Sequence, residues 1–310
     1  MGGYSSEYKV SIRSGNEVYN NLSSLKHNLF RVIITKENWY CIDKNENKYR
    51  INIKNFRVNK PKIIFDYVIN VIHGSPGEDG LIQSYFKMLN INHSSSDYSQ
   101  SALTFNKNEC KNFLIKHEVL TPKSFLLNKN INININEIIN KTGIPVFVKP
   151  NKGGSSFGIS RADKINNLKF SIEKAFKEDD EVIIEEEIKG REISVSVIQF
   201  KNKIIALPPT EIVTHNEFFD YNAKYKGQSD EITPAKLSKD KTILIQKLSK
   251  KIYKILDLKG FSRSDFILKN NKFYFLEINT NPGLTKESIL PQQALSYGIS
   301  LEELFKSLIK

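Results

Sequence analysis

Two apolar segments near the C-terminus constrain the fold of this chain more than any other feature. They occupy residues 260–268 and 273–283, and both place polar side chains at alternate positions. The short polar sequence Lys-Asn-Asn-Lys, residues 269–272, lies between them. Alternation with a period of two residues indicates β-strands, and the polar connection predicts that the two strands form a β-hairpin.

One face of the predicted hairpin carries groups that bind cations. A connection of three or five residues, both common in hairpins, sets Asp265 opposite Glu277 and, in the same register, Arg263 opposite Asn279. Like charges directly opposite each other destabilise a strand pair unless something positive lies between them. Two carboxylates and an amide carbonyl are oxygen ligands that suit Mg²⁺. Charges on strands usually mark a solvated face, but these acids are embedded in Phe, Leu and Ile, which favours a metal site.

The composition excludes several classes of protein. A chain of 310 residues exceeds what one hydrophobic core usually serves, so we expect two or three subdomains. No apolar stretch approaches the ~20 residues that span a bilayer, and the N-terminus has no signal-peptide pattern. Cys41 and Cys110 give neither a disulfide framework nor a metal spacing. We therefore expect a cytoplasmic protein without membrane contact.

The net charge of +12 is compatible with nucleic-acid binding. The basic residues are spread along the whole chain, however, with no Lys/Arg block and no basic stripe interleaved with aromatic residues. We interpret the charge as a property of the composition, and nucleic acid is not an expected partner.

A loop in the middle of the chain has the composition of a loop that covers the phosphate groups of a ligand. Lys149 ends a predicted strand, and Gly153, Gly154, Ser155 and Ser156 follow in the loop. Glycines let backbone N–H groups approach an anion, serines donate hydrogen bonds and the lysine adds a charge. It is not a Walker A loop, because the lysine precedes the glycines and no helix follows directly. On its own, such a loop is also typical of an ordinary hairpin.

Two further segments place polar groups at strand ends. Glu185, Glu186 and Ile188 end a predicted buried strand, where they and the later Glu192 could receive an adenine and a ribose. Taken singly, each acid fits a plain surface residue better. His73 follows the apolar run 68–72 into a glycine-rich turn that precedes a predicted helix, which is the βα unit of a parallel sheet.

Six motifs together resemble the ATP-grasp superfamily and, more closely, the D-alanine–D-alanine ligase family. In chain order they are GGYSSE at 2–7, HGSPGEDG at 73–80, KPNKGGSS at 149–156, FDYNAKY at 219–225, RSD at 263–265 and EINTNPGLTKES at 277–288. The Glu-x-Asn hairpin is shared by many ATP-grasp enzymes, whereas the motifs at 73–80 and 219–225 are far more specific. The resemblance covers nearly the whole chain.

The resemblance implies an α/β and α+β fold with three parts. Residues 1–104 would form a Rossmann-like, parallel-sheet domain that binds substrate. Residues 105–190 would form the central ATP-grasp subdomain, and residues 191–310 the C-terminal one with the lid loop and metal site. The family's first strand precedes the Gly-Gly motif, but here Gly2-Gly3 follow Met1 directly. Either the first strand is missing or the start codon was assigned too far downstream. With the strand missing, we expect the N-terminal sheet to leave a gap and Glu7 to be poorly anchored.

The resemblance also implies an ADP-forming ligase that joins two D-alanines through an acylphosphate for peptidoglycan synthesis. The implied catalytic residues are Glu7, Ser155, Arg263 and Gly283. The implied ATP-binding residues are Lys107, Lys149, Ser155, Ser156, Glu185, Glu186, Ile188 and Glu192. Asp265, Glu277 and Asn279 would hold two Mg²⁺ ions, or Mn²⁺ in their place. Glu7, His73, Lys224, Tyr225, Ser288 and Ile289 would contact the amino-acid substrates.

Two alternatives remain open at this point. One is an ATP-grasp ligase with another acceptor, such as a hydroxy acid or a different D-amino acid, although Tyr225 favours the dipeptide. The other is a degenerate protein that binds ATP without catalysis, which the missing strand would suggest. The family resemblance further implies a homodimer.

Overall fold

The computed structural model describes residues 1–24, 27–131, 133–154, 158–214 and 229–309. Its helices are α1 Tyr8–Leu22, α2 Leu81–Met88, α3 Tyr98–Phe105, α4 Lys107–Ile115, α5 Ile135–Thr142, α6 Ile165–Ala175, α7 Lys239–Ile255, α8 Ile289–Tyr297 and α9 Leu301–Lys306. Its strands are β1 Arg31–Ile34, β2 Trp39–Ile42, β3 Lys48–Arg50, β4 Arg57–Val58, β5 Ile63–Ile64, β6 Tyr67–Val68, β7 Asn92–His93, β8 Ser124–Asn128, β9 Val146–Pro150, β10 Ser160–Ala162, β11 Glu181–Glu186, β12 Arg191–Phe200, β13 Lys203–Ala206, β14 Thr210–Thr214, β15 Ser229–Ile232, β16 Phe261–Lys269 and β17 Lys272–Asn279.

The N-terminal region contains short parallel pairings, as expected for this part of the fold. Strand β6 runs parallel to β7, while β1, β2 and β3 form an antiparallel sheet. The first residues lie parallel to β1, since Gly3 donates a hydrogen bond to the Ile34 carbonyl at 2.8 Å and Met1 accepts one from the Ile34 N–H at 3.0 Å. Burial lowers the pKa of the Met1 ammonium to about 5.

A groove of about 610 Å³ lies beside this pairing, between α1, β1 and residues 62–72. The expectation that Glu7 is poorly anchored is wrong. Glu7 is buried at the start of α1, and its carbonyl accepts hydrogen bonds from Val10 and Ser11.

The central unit is an antiparallel sheet covered by two helices. Its strand order is β10-β9-β11-β8. The apolar positions of β9 and β11, such as Val148 and Ile184, are fully buried and pack with Leu168 and Ile172 of α6. This packing fixes the strand on which Lys149 lies.

The C-terminal unit is a larger sheet in the order β15-β14-β12-β16-β17, with β13 paired to β12. Helix α7 packs on it, and the core includes Val195, Ile252, Phe266 and Phe275. Val195 and Phe266 are therefore held in this core, while the neighbouring Ser194 and Asp265 contact each other. Within the described residues, no helix is long and apolar enough to cross a membrane.

The predicted hairpin is formed by β16 and β17, and its register is confirmed. Asp265 pairs with Glu277, and Arg263 pairs with Asn279. The expected loop length is wrong, because Lys269 pairs with Lys272 across a connection of only two residues. Asn270 and Asn271 both adopt positive φ, at 48° and 62°, as a tight hairpin turn requires. A bulge between Asp265 and Phe266 restores the register that a longer loop would have given.

Candidate active site

The acidic face of the hairpin is held by several donors. Asp265 is 6% exposed and accepts two hydrogen bonds from the guanidinium of Arg263, at 3.0 and 2.8 Å. The hydroxyl of Ser194 on β12 donates to the same carboxylate. The amide nitrogen of Asn279 lies 3.4 Å from it. Both oxygens of Asp265 therefore have donors, and the carboxylate is fixed in place.

The charge of Arg263 depends on these neighbours. Burial acts to lower the pKa of Arg263, but the contact with Asp265 outweighs burial and raises the pKa above its usual range. The charge of Glu277 adds to the increase. Arg263 is thus a fixed positive charge that can stabilise negative charge developing nearby.

The ligand set on this face fits Mg²⁺. In the part of the chain that the structure describes, no three His, Cys, Asp or Glu side chains form a metal-binding group. The candidate ligands stay those that the sequence predicts, the carboxylates of Asp265 and Glu277 and the amide of Asn279, which lie together on the hairpin. Such hard oxygen ligands suit Mg²⁺, which also keeps water or phosphate ligands. The two facing acids would lose their mutual repulsion with a cation between them.

Three lysines approach the same region, two from α4, which packs in the core of the C-terminal unit, and one from the central sheet. Lys107 and Lys111 are buried on α4, and Lys149 lies in β9. Lys149 donates a hydrogen bond to Glu185 Oε2 at 2.7 Å, while Lys111 contacts Oε1 of the same carboxylate. Lys107 Nζ lies 3.7 Å from Glu277 Oε2. Lys107 therefore connects the lysines to the acids of the hairpin.

Burial changes the protonation of two of these lysines. It lowers the pKa of Lys149 to about 8, and the nearby charge of Glu277 opposes the decrease. Burial also lowers the pKa of Lys111 well below its usual range, and the charge of Lys149 adds to this effect. Lys149 thus keeps most of its charge at neutral pH.

The glycine-rich loop lies between the lysines and the hairpin. The Gly153 carbonyl accepts a hydrogen bond from Lys107 Nζ at 2.5 Å. A small cavity, of about 20 Å³, is lined by Gly153, Gly154, Lys107, Glu277 and Asn279. The structure therefore brings together the loop and the hairpin, two motifs more than a hundred residues apart in the sequence.

Glu7 reaches the same loop from the N-terminal region. A Cβ atom added to Gly154 would lie 2.8 Å from a carboxylate oxygen of Glu7. Glycine is therefore the residue that lets the loop approach this acid. Ser155 and Ser156, which follow directly, lie outside the described residues, so their assignment stays a prediction.

The residues expected to receive adenine and ribose differ in their surroundings. Glu185 is 1% exposed and is engaged by two lysines. Glu186 accepts a hydrogen bond from the backbone N–H of Lys123 at 2.8 Å. Ile188 and Glu192 are half-buried on either side of the turn between β11 and β12. Their contacts with nucleotide stay predictions.

His73 is buried and connected to two other parts of the chain. Its Nε2 lies 3.2 Å from the hydroxyl of Ser14, and that hydroxyl accepts a hydrogen bond from the backbone N–H of Leu284 at 3.2 Å. Burial lowers the pKa of His73, while the charge of Glu7 opposes the decrease. His73 is therefore kept neutral, and Ser14 ties it to the residue that follows Gly283.

A second connection joins the His73 loop to the segment after the hairpin. Glu78 accepts hydrogen bonds from the backbone N–H groups of Gly74, at 2.7 Å, and Asn281, at 3.3 Å. Burial raises the pKa of Glu78 to about 8, and the charge of Glu7 adds to this. The side chain of Asn281 donates to the Ile72 and Gly77 carbonyls.

The residues predicted to bind the second substrate and its oxyanion lie close together. A Cβ atom added to Gly283 would lie 2.7 Å from Ser288 Oγ. Ser288 precedes α8 and shares a hydrogen bond of 2.9 Å with Thr285, while Ile289, the first residue of α8, is buried. Lys224 and Tyr225 lie outside the described residues.

Sequence reasoning missed three residues of this site, which are Ser14, Glu78 and Lys111. Ser14 lies seven residues after Glu7 and Lys111 four residues after Lys107, spacings that place each pair on one face of a helix. Those spacings were the available signal for both. Glu78 lies within the motif at 73–80 and gave no separate indication of its contacts.

Lysines of α4 and of the central sheet meet the acids of the C-terminal sheet beside a glycine-rich loop, an arrangement that defines an ATP-grasp fold. The family model described as D-ala D-ala ligase N-terminus matches residues 1–96, and the one described as D-ala D-ala ligase C-terminus matches residues 114–310. The chain therefore belongs to the D-alanine–D-alanine ligase family.

Individual relatives agree with this assignment. A D-alanine–D-alanine ligase of Flavobacterium johnsoniae is 52% identical over 312 aligned residues, which cover 100% of this chain and 97% of the relative. The VanG D-Ala:D-Ser ligase of Enterococcus faecalis superposes with a TM-score of 0.88 at 31% identity, covering 100% of this chain and 96% of its own. The D-alanine–D-alanine ligase of Bacillus anthracis complexed with ATP gives a TM-score of 0.80 at 32% identity, with coverage of 100% and 94%.

Proposed function

We propose that this chain joins two D-alanines to D-alanyl-D-alanine at the expense of ATP, releasing ADP and phosphate. The dipeptide would enter peptidoglycan precursors. Family membership supports the reaction, and the relative complexed with ATP supports the nucleotide. The single observation that carries the proposal is the meeting of lysines and hairpin acids at Lys107 and Glu277, because MgATP requires both charges in one place.

The first step moves the γ-phosphoryl group of ATP to the carboxylate of the first D-alanine. Such transfer depends mainly on positioning and on neutralisation of charge. Lys107, Lys149 and the loop at 153–156 would hold the phosphates. Asp265, Glu277 and Asn279 would hold Mg²⁺, which neutralises phosphate charge when bound.

The N-terminal region would position the first D-alanine. Glu7 is a carboxylate that can hold the substrate ammonium, and it lies against Gly154 in the phosphate loop. His73 is close to Glu7, since the charge of Glu7 acts on its pKa. Ser155 would complete this arrangement from the loop.

In the second step the amine of the second D-alanine attacks the acylphosphate, and phosphate leaves with one oxygen of the former carboxylate. Arg263 and the backbone N–H of Gly283 would stabilise the oxyanion that forms, an interaction whose loss costs ~3 kcal/mol or more. Ser288 and Ile289 would bind the second substrate. Lys224 and Tyr225 would act in a lid that excludes water from the acylphosphate.

Phosphate release with D-alanine as the sole amino acid tests this proposal. We expect release that depends on D-alanine and on Mg²⁺, with D-alanyl-D-alanine as the product identified by mass spectrometry. ATP binding without phosphate release would instead favour the alternative of a protein that binds ATP but does not catalyse. The buried position of Glu7 argues against that alternative.

Ligation of D-alanine to a different second substrate is the nearest competing function. The similarity to a D-Ala:D-Ser ligase motivates assays with mixtures of D-alanine and D-serine, and with D-lactate. We expect D-alanyl-D-alanine to dominate, because Tyr225 matches dipeptide-forming members. A dominant mixed product would assign the chain to the other specificity. A homodimer and a cytoplasmic location are further parts of the proposal, and size-exclusion chromatography with light scattering checks the first.

A further inference from the structure

We infer that Lys111 is a positioning residue for ATP binding, which fixes the carboxylate of Glu185 so that Glu185 in turn holds Lys149 ready for the phosphates. The inference rests on the proposed placement of ATP beside Lys149. It concerns a residue that is 1% exposed and whose charged end contacts Glu185.

The geometry is that of one carboxylate shared by two lysines. Glu185 Oε1 contacts Lys111, and Glu185 Oε2 lies 2.7 Å from Lys149 Nζ. The three side chains come from α4, β9 and β11, and the two strands are hydrogen-bonded neighbours with Lys149 opposite Ile183. The helix is therefore tied to the phosphate-binding strand through Glu185.

A buried ion pair of this kind needs a reason beyond stability. Removing ions from water is costly, and apolar residues of similar volume often stabilise a fold as well or better. Burial lowers the pKa of Lys111, whereas contact with a carboxylate favours its charged form. The pair therefore occupies a costly position next to a residue that the reaction uses.

The proposed role follows from the two oxygens of Glu185. With Lys111 present, each oxygen of Glu185 lies next to its own lysine. Without Lys111, both oxygens are available to Lys149. The long, flexible side chain of Lys149 would then be held more tightly by Glu185 and less available to a phosphate. Loss of Lys111 should therefore weaken ATP binding without any direct contact.

Three lysine variants in this part of the chain test the role. Lys111→Gln keeps a hydrogen-bond donor and removes the charge, and Lys111→Arg keeps the charge. Lys116→Gln is the matched control, because Lys116 is the exposed residue that follows the last turn of the same helix. The dissociation constant of ATP is measured by calorimetry with Mg²⁺ and without D-alanine. The KM for D-alanine and the thermal midpoint of unfolding are measured alongside.

We expect Lys111→Gln to weaken ATP binding by about tenfold, because Lys149 would then lose a charge-assisted contact with phosphate. Lys111→Arg should recover part of that loss, and Lys116→Gln should show none. The KM for D-alanine should stay within about twofold in all three, because its binding groups are elsewhere. A folded Lys111→Gln variant with a lower melting temperature and unchanged ATP affinity would show that Lys111 only supports the fold, and would overturn the inference.

Two further comparisons separate this inference from the proposed function. If Lys149→Gln leaves ATP affinity unchanged, the placement of ATP itself is wrong; if Lys149→Gln weakens binding and Lys111→Gln does not, only the role of Lys111 fails.

If Lys111→Gln does not fold, Glu185→Met and Lys111→Met/Glu185→Met replace it, since removing both charges preserves packing. The double variant should bind ATP as Glu185→Met does, and a further loss would contradict an effect that acts through Glu185.

Discussion

The hairpin acids and the three lysines of the site have opposite charges, and their positions are set in different ways. Asp265 and Glu277 lie on adjacent strands with short sequence separation, and their relative position is set by backbone pairing. The lysines come from a helix and a strand that are distant in sequence, and a shared carboxylate holds two of them. The position of the acids is thus set mainly by backbone pairing, with added hydrogen bonds from Arg263 and Ser194 to Asp265, whereas two of the lysines depend on a shared side-chain contact.

This difference predicts how each group responds to mutation. A group fixed by the backbone keeps its geometry when one side chain is changed, so the loss is confined to the function of that side chain. A group fixed by side-chain contacts transmits a change from one member to the next. The two groups meet at Lys107 and Glu277, 3.7 Å apart, which is the point where the comparison can be tested.

The largest effect is expected for Glu277→Gln. Removing one carboxylate leaves the hairpin intact but takes away a ligand for Mg²⁺, and we expect kcat to fall by about a thousandfold. Phosphate release with saturating D-alanine measures the loss. Glu287→Gln, an exposed acid in the segment after the hairpin, is the control. Full activity of Glu277→Gln would show that the hairpin acids do not bind the metal.

The next largest effect concerns the charge of Lys149. Because the pKa of Lys149 is about 8 in the free protein, the fraction of charged Lys149 decreases as the pH rises through 8. ATP affinity should therefore fall above pH 8 by up to about tenfold per pH unit. Lys149→Arg keeps its charge over this range and should lose this dependence. Titrations of both proteins with MgATP between about pH 7 and pH 10 measure how ATP affinity depends on pH. The same dependence in both proteins would show that Lys149 does not bind phosphate.

A smaller effect is expected at Ser14. Ser14→Ala removes one hydroxyl that contacts both His73 and the Leu284 N–H, and leaving buried polar groups unpaired costs about 1–3 kcal/mol. We expect the KM for the first D-alanine to rise by about tenfold while ATP affinity is unchanged. Ser23→Ala at the exposed end of the same helix is the control. A change in ATP affinity alone would contradict the assignment.

The smallest effect on catalysis is expected at Glu78. The prediction for this residue concerns the stability of the fold. The pKa of Glu78 is raised from 4.5 to about 8, so the folded protein holds a proton that the unfolded chain has released. The contribution of Glu78 to the free energy of unfolding is complete below pH 4.5 and is lost as the pH rises through about 8. Urea denaturation of nucleotide-free protein should show a decrease in stability between these pH values that Glu78→Gln lacks. Parallel pH profiles of the two proteins would contradict the raised pKa.

The comparison also explains which parts of the site could be predicted from the sequence. The pairing of Asp265 with Glu277 follows from strand alternation, although the two-residue turn and the bulge that produce it do not. Lys149 could be identified because it precedes a glycine-rich loop. The roles of Lys111 and Glu185 depend on how α4 packs against β11, and no local pattern reports that packing.

The N-terminal region shows the same limit. The motif around His73 was visible, but its attachment to the segment after the hairpin joins residues more than two hundred positions apart. The sequence also predicts weak anchoring of Glu7, which is wrong, because backbone contacts at the start of α1 and the proximity of Gly154 hold it in place. The division into parts at residues 104 and 190 stays a prediction.

The most direct test of the account is the fate of the carboxylate oxygens of the first D-alanine. If the two charged groups hold MgATP for transfer to that carboxylate, D-alanine labelled with ¹⁸O in its carboxyl group should yield phosphate that carries one labelled oxygen. Mass spectrometry of the released phosphate measures this. Labelled phosphate is the predicted result, and dipeptide formed together with unlabelled phosphate would contradict the transfer of the phosphoryl group to the substrate.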